Sequence, residues 1–333
     1  MDKINIGIIG AGGVAQFVHL PIISKLESAN LYAIAEVNKS RLKIAGEKYS
    51  SALQFNDYSE MLADENVNAV IIATPTSTHK EIALKSLKAK KDILIEKPVA
   101  LNYSEAKGIS AAAKKYNRIV MVGMNMRFRP DAMLLRSIIN SKELGDLFYI
   151  KCGWLQKKSS NQKWFLDKKQ SGGGVVADLG IVILDLALWM LGDDNIKSVS
   201  VQKYNHYLTQ VEDSAIGFIR LGTGKVINFE VSWNLYSDVD RFNLVVHGTD
   251  GSAYLNPFRV YKKTESEPID YSLNKSQNVQ NLFKKSYENE LKHFISAVRE
   301  RGNVISTTAE AATRMKLLET IYKSAAHGKE INF

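Results

Sequence analysis

The chain of 333 residues holds a single cysteine, Cys152. It can form no intrachain disulfide and no cysteine-built zinc site. That usage fits a reducing compartment. Internal repeats and low-complexity tracts are absent. No apolar run reads as long enough to span a membrane. Met1-Asp2-Lys3 leads directly into a strand-like run, without a signal-peptide pattern. The expectation is a cytoplasmic protein without membrane contact. Basic residues outnumber acidic ones, 44 to 35, for a net charge of +9. The surplus favours an anionic ligand such as a nucleotide. The lysines are scattered among acids, however, and no basic run interleaves with aromatics, so no nucleic-acid partner is expected. No metal-ligating cluster is found. What remains is ordinary globular material, 45% hydrophobic and 24% charged, long enough for two domains.

The most informative stretch is Ile93-Leu94-Ile95-Glu96-Lys97-Pro98. A short continuous apolar run reads as a strand buried on both faces. Pro98 ends it, which sets Glu96 and Lys97 at the carboxyl end of the strand. In open α/β sheets ligands bind at that edge. Ile4–Ile9 is a second such strand. Gly10-Ala11-Gly12-Gly13-Val14-Ala15 follows it and leads into a helical pattern. This is G-x-G-x-x-A in the strand–turn–helix setting that the dinucleotide motif requires. Its small residues permit a tight turn and close approach of a pyrophosphate to the helix start. A break or new helix start is expected near His19-Leu20-Pro21, with His19 as a polar residue at that break.

Leu31–Val37 is the next strand and carries Glu36. An acid there can hold the adenosine ribose hydroxyls and repel a 2′-phosphate, which favours NAD over NADP. Asn38, Lys39 and Arg41 pull the other way. Asp57-Tyr58 opens a short helix. Ala69–Ile72 runs into Ala73-Thr74-Pro75-Thr76-Ser77-Thr78-His79, where Thr78 and Glu81 resemble a capping box. His79 reads equally as a ligand contact or a first-turn residue. Asn102 with Glu105 caps another helix, and Ile119–Gly123 closes the set. Alternating strands and helices predict a doubly wound parallel sheet over residues 1–123.

After Gly123 the pattern changes. A strand is expected at Phe148–Trp154. Gly172-Gly173-Gly174 opens the most apolar helix, Val175–Leu191. Strand-like runs from Ile196 to Tyr254 read as an antiparallel meander. Residues 264–281 read as an exposed loop, and two helices end the chain. Residues 124–333 are therefore expected to form an α+β domain with a large, mostly antiparallel open sheet.

Together these residues resemble the glucose–fructose oxidoreductase / inositol dehydrogenase (Gfo/Idh/MocA) family over nearly the whole chain. The marks are Gly10–Ala15, Thr74-Pro75-Thr76 with His79, Glu96-Lys97-Pro98, Asn125 with Arg127-Phe128, and Gly172–Gly174 followed by Asp178-Leu179-Gly180. The resemblance implies a tightly bound nicotinamide cofactor and oxidation or reduction of sugars, cyclic polyols or their derivatives. It also implies a homodimer or homotetramer formed through the open sheet. The expected cofactor-binding residues are Gly10, Gly12, Gly13, Val14, Ala15, Glu36, Thr74, Pro75, Thr76, His79, Glu96, Lys97 and Asn125. The family pattern carries over Lys97 as the lysine that polarises substrate and Asp178 as a substrate-site carboxylate. Arg127, Trp164, Asp178 and Val182 are substrate candidates, with Arg129 and Tyr236 behind them. The pattern is broken at one place: Val182 stands where the usual proton-transfer histidine would be, four residues from Asp178 on one helix face. That departure opens an alternative, a cofactor-binding regulator with little dehydrogenase activity. A lyase or hydrolase using NAD transiently is a third reading.

Overall fold

The computed structural model describes residues 3–157, 163–263, 269–270, 272 and 279–333. Six strands occupy the first part of the chain: β1 (Ile4–Ile9), β2 (Ala29–Ala35), β3 (Leu53–Phe55), β4 (Ala69–Ile72), β5 (Asp92–Glu96) and β6 (Val120–Gly123). They pair in parallel in the order β3-β2-β1-β4-β5-β6. This is the doubly wound order whose reversal between β1 and β4 marks the ligand crevice. Strands β4 and β5 are buried throughout, as continuous apolar runs require when helices cover both faces. Strand β3 escaped sequence reading because it is a three-residue, largely exposed edge strand.

The chain stays helical across Pro21, where a break was expected. A π turn, Ala15–His19, leads into the helix Leu20–Ile23, with Leu20 N–H donating to Ala15 O. Proline cannot donate to the carbonyl four residues back, and the wider turn just before it absorbs that loss. The helix Thr76–Lys88 also starts earlier than expected. Pro75 is its N-cap, and Thr78 lies in the first turn, donating from Oγ1 to Pro75 O at 2.8 Å. Asn102 caps Tyr103–Tyr116 as the sequence indicates, accepting from Glu105 N–H at 2.9 Å.

The chain forms two compact units, Met1–Asn125 with Tyr287–Met315, and Met126–Ser286 with Lys316–Phe333. The division is therefore not a single cut after residue 123. The stretch Tyr287–Met315 joins the first unit through buried Leu291, Phe294 and Ile295. Val122 N–H also donates to Ser306 O at 3.1 Å, and Arg301 pairs with Asp92 at 2.6 Å.

The second unit is built on nine strands: β7 (Leu147–Leu155), β8 (Ile196–Tyr204), β9 (Ser214–Leu221), β10 (Val226–Ser232), β11 (Arg241–Gly248), β12 (Gly251–Leu255), β13 (Arg259–Lys262), β14 (Ile269–Asp270) and β15 (Ile331–Asn332). Their order is β14-β13-β12-β11-β7-β10-β9-β8-β15. The expected meander holds only from β8 to β10. Strand β7 then enters between β10 and β11, parallel to the first and antiparallel to the second. Along β10, fully buried Ile227, Phe229 and Val231 alternate with half-buried Val226, Asn228, Glu230 and Ser232. One face of the sheet is thus core and the other is open. The apolar helix Ile181–Leu191 packs on β7 and β10. Contrary to the sequence reading, the helical stretch Lys168–Leu191 is long and apolar enough to span a membrane, with mean hydropathy 2.1. Of its apolar window, 89% is buried inside the protein, as in a core helix. Most of the loop expected at 264–281 lies outside the described residues.

Candidate active site

Strand β1 delivers the chain into Gly10, whose φ is +92°. A side chain there would be strained, and its Cβ would lie 2.6 Å from Ala73 O, so only glycine fits. Helix begins at Gly13, which leaves its first N–H groups outside the intrahelical ladder. Glu36, just past β2, is 5% exposed. Its Oε2 accepts from Ala11 N–H at 2.8 Å; its Oε1 accepts from Asn38 N–H at 2.8 Å and the Arg41 guanidinium at 2.9 Å. Glu36 therefore braces the glycine turn, and Arg41 neutralises it. A carboxylate offers about four lone-pair directions, so room remains for a ribose hydroxyl. The cradle without a Cβ, the free helix start and the acid at the end of β2 together fit a dinucleotide.

The same sheet edge carries the loops after β4 and β5. Thr74 and Pro75 are half-buried, while Thr76 and Asn125 are buried. His79, 1% exposed, sets Nδ1 2.9 Å from Pro98 O and Nε2 2.9 Å from Thr74 O. It thus ties the two loops together instead of presenting a ring nitrogen to a ligand. Burial pushes its pKa down, against the pull of those carbonyls and of Glu96. Glu96 Oε1 lies 2.8 Å from His19 Nε2, and its Oε2 accepts weakly from Lys97 N–H at 3.3 Å. Burial works against the Glu96 charge, but the His19 hydrogen bond and the charges of His19 and Lys97 hold its carboxyl below the usual range. Lys97 is half-buried at the end of β5, where the strand stops before Pro98.

In the second unit, the glycine run explains itself by contact. A Cβ on Gly173 would meet Tyr322 Oη, and one on Gly174 would lie 2.0 Å from Glu212 O. Glu212 Oε1 accepts from Gly174 N–H at 2.9 Å, Val176 N–H at 3.1 Å and Tyr322 O–H at 2.9 Å. Burial pushes the Glu212 carboxyl up in spite of these donors. The helix then opens with a π turn, Val176–Gly180, on which Asp178 is half-buried. Its Oδ2 accepts from Trp233 Nε1–H at 3.3 Å. Phe165 links Trp164 to Trp233, with ring centroids 4.3 Å and 6.5 Å apart. Trp164 and Asp178 thus belong to one aromatic-walled cluster.

Other candidates fall elsewhere. Arg127 is 1% exposed and grips Asp185 with two hydrogen bonds, of 2.7 and 2.5 Å. It is a core ion pair, not a substrate contact. Arg129 is likewise buried against Asp131. Tyr236 is exposed and shares a hydrogen bond with Tyr207. Val182 is 3% exposed. Sequence reasoning missed His19, Glu212, Trp233 and Glu290. Only Glu290 left a signal, a charge amid the apolar face formed by Tyr287, Leu291 and Phe294.

Comparison with known proteins agrees with this geometry. Residues 4–124 match the Gfo/Idh/MocA oxidoreductase family's NAD-binding Rossmann fold, and residues 136–333 match that family's C-terminal alpha/beta domain. The chain belongs to this oxidoreductase family. D-glucoside 3-dehydrogenase of Escherichia coli K12 is 25% identical, over 99% of this chain and 97% of its own. scyllo-Inositol 2-dehydrogenase (NAD+) of Bacillus subtilis 168 is 26% identical, over 95% and 92%. The solved complex of levoglucosan dehydrogenase with NADH and levoglucosan shares the fold, with TM-score 0.90, 22% identity and 99% of each chain covered. The family assignment makes the glycine turn an NAD site.

Proposed function

We propose that this protein is an NAD-dependent dehydrogenase that oxidises or reduces a CH–OH carbon of a sugar, cyclic polyol or sugar derivative. The observation that carries this reading is Lys97 at the carboxyl end of β5, on the sheet edge that also bears the Gly10 turn, with the ionised Glu96 buried behind it. Residues Gly10–Ala15 would hold the pyrophosphate and Glu36 the adenosine ribose; Thr74–Thr76 and Asn125 border the same edge. The nicotinamide accepts or gives up the hydride. Lys97 binds the substrate hydroxyl and takes or returns its proton. Asp178, oriented by Trp233, is the second polar group assigned to substrate. Val182 is apolar and carries no proton. The regulator alternative, which rests on Val182, is not favoured, since the relatives bear dehydrogenase names. The open face of the nine-stranded sheet suits a homodimer or homotetramer contact of about 1,000 Å² or more. A cytoplasmic setting suits an enzyme that draws on the cell's NAD pool.

The test is a screen of free sugars, glycosides and cyclitols that follows the absorbance of NADH and NADPH. Lys97→Ala should keep NAD affinity within a few-fold and lower turnover by ~10²–10⁴. Near-normal turnover in that variant, with only a lower melting temperature, would reduce Lys97 to a strand terminator and overturn the reading.

A further inference from the structure

The helix Val279–Glu300 buries a carboxyl that the mechanism above does not use. Glu290 is 0% exposed, and neither of its side-chain oxygens has a hydrogen-bond partner. An ionised carboxylate is strongly disfavoured in such a place, and a bound proton relieves it. His19 shows the complementary defect. Its Nε2 meets Glu96 Oε1 at 2.8 Å, but its Nδ1 is buried without a partner. Tyr287, one helical turn before Glu290, sets its ring edge-on to the His19 ring at 6.0 Å and 85°. The helix face that bears Glu290 therefore lies against His19. An unpartnered carboxyl and an unpartnered ring nitrogen are brought to the same buried place.

We propose that Glu290 holds a proton at neutral pH and that Glu290, His19 and Glu96 form one buried hydrogen-bonded chain ending at Lys97, with Glu290 as its positioning residue. Glu290 O–H donates to His19 Nδ1, and His19 Nε2–H donates to Glu96, which stays the ionised member. The charged and titratable groups around the chain are Lys97 from the end of β5, His79 from Thr76–Lys88, and Tyr287 from the helix of Glu290 itself. Burial and then the charge of Glu96 push the Glu290 carboxyl well above the usual range, whereas Glu96 is held below it. Two carboxyls driven apart in this way take different roles. While Glu290 is neutral, Glu96 supplies one negative charge behind Lys97. A second charge would favour the ammonium form and hinder Lys97 from accepting a hydroxyl proton. The link to Lys97 rests on the dehydrogenase reading; the proton on Glu290 does not.

Infrared difference spectroscopy of the full-length chain tests the proton without substrate. A protonated-carboxyl band should be present at neutral pH and vanish in Glu290→Gln. Glu212→Gln is the control, since burial also raises that carboxyl, and should remove a different band. Kinetics test the coupling. Glu290→Gln, whose amide still donates to His19, should keep kcat within about 3-fold and lose the part of the alkaline decline due to Glu290. Glu290→Met, similar in size but without a donor, should lower kcat/KM by roughly tenfold, the lower end for removing a group that orients a functional residue. NAD affinity should stay within a few-fold in both variants. A neutral-pH spectrum unchanged by Glu290→Gln overturns the proposal. So does an equal kinetic loss in the Gln and Met variants, which marks a packing role only. If no sugar or polyol is turned over, the dehydrogenase reading fails, and the infrared band alone decides where the proton sits.

Discussion

The two glycine turns, Gly10–Gly13 in the first unit and Gly172–Gly174 in the second, are solved by the same device in opposite surroundings. Each leads into a π turn, and each is held by a carboxylate from a distant stretch of chain. Glu36 does this at the sheet edge with Arg41, half-exposed, as its counter-ion. Glu212 does it in the core with a tyrosine hydroxyl and two backbone donors. The first turn thus keeps a charge and open space at the surface where a ligand arrives. The second is a packed joint that fixes the helix bearing Asp178. A glycine motif in sequence does not distinguish a ligand cradle from a joint; the neighbour that fills the missing Cβ does.

Adding a methyl group at each turn separates the two roles most sharply. Gly174→Ala drives a Cβ to 2.0 Å from the Glu212 carbonyl oxygen, a backbone atom that cannot swing away. The expected loss is ~3 kcal/mol or a failure to fold, read by thermal melting. In Gly12→Ala the new Cβ finds its closest neighbour, Ala73 O, at 4.0 Å. Stability should hold within ~0.5 kcal/mol while NAD binding weakens, because the methyl takes the space of the approaching pyrophosphate. Equal stability losses would erase the contrast.

The next effect is removal of the bracing carboxylate. Glu212→Ala strands buried N–H and O–H donors and should cost about 2–4 kcal/mol, whereas Glu212→Gln keeps an acceptor and should cost about 1 kcal/mol. Glu36→Ala should instead act on the ligand, weakening NAD by about tenfold, or 1.4 kcal/mol, and NADP by less. Calorimetric titration with both nucleotides checks this, and tighter NADP binding by the unaltered protein would contradict it. The smallest effect is a pH slope. The folded-state pKa of Glu212 is raised, so the folded chain holds that proton more tightly than the unfolded chain. Its contribution is complete below the ordinary glutamate value of about 4.3 and is lost as pH rises toward the folded value. Urea unfolding across that range should show a decline that Glu212→Gln flattens.

Much of the first unit was legible in the sequence because its chemistry is local. Strands buried on both faces are continuous apolar runs, and Gly10–Ala15 and Glu96-Lys97-Pro98 bring backbone and side chains together within a few residues. What could not be read is carried by partners far apart in sequence. His19 meets Glu96 across 77 residues, and Glu212 reaches Gly174 across 38. Each is one polar residue with no spacing signature. Arg127 was misread for the same reason, since its partner Asp185 lies 58 residues away. Strand β7 was recognised as a strand, but its place between β10 and β11 depends on pairing that no local pattern encodes. The π turns left only Pro21 and Gly180 as traces.

The return of Tyr287–Met315 to the first unit has a consequence for synthesis and for dissection. The NAD-binding half is the first made, yet it is finished last. Until the chain is nearly complete, β6 lacks its bond from Val122 to Ser306, Asp92 lacks Arg301, and His19 lacks Tyr287. A fragment ending at residue 125 is therefore an unfinished unit with its apolar flank uncovered. An excised cofactor domain needs the returning segment joined back to it.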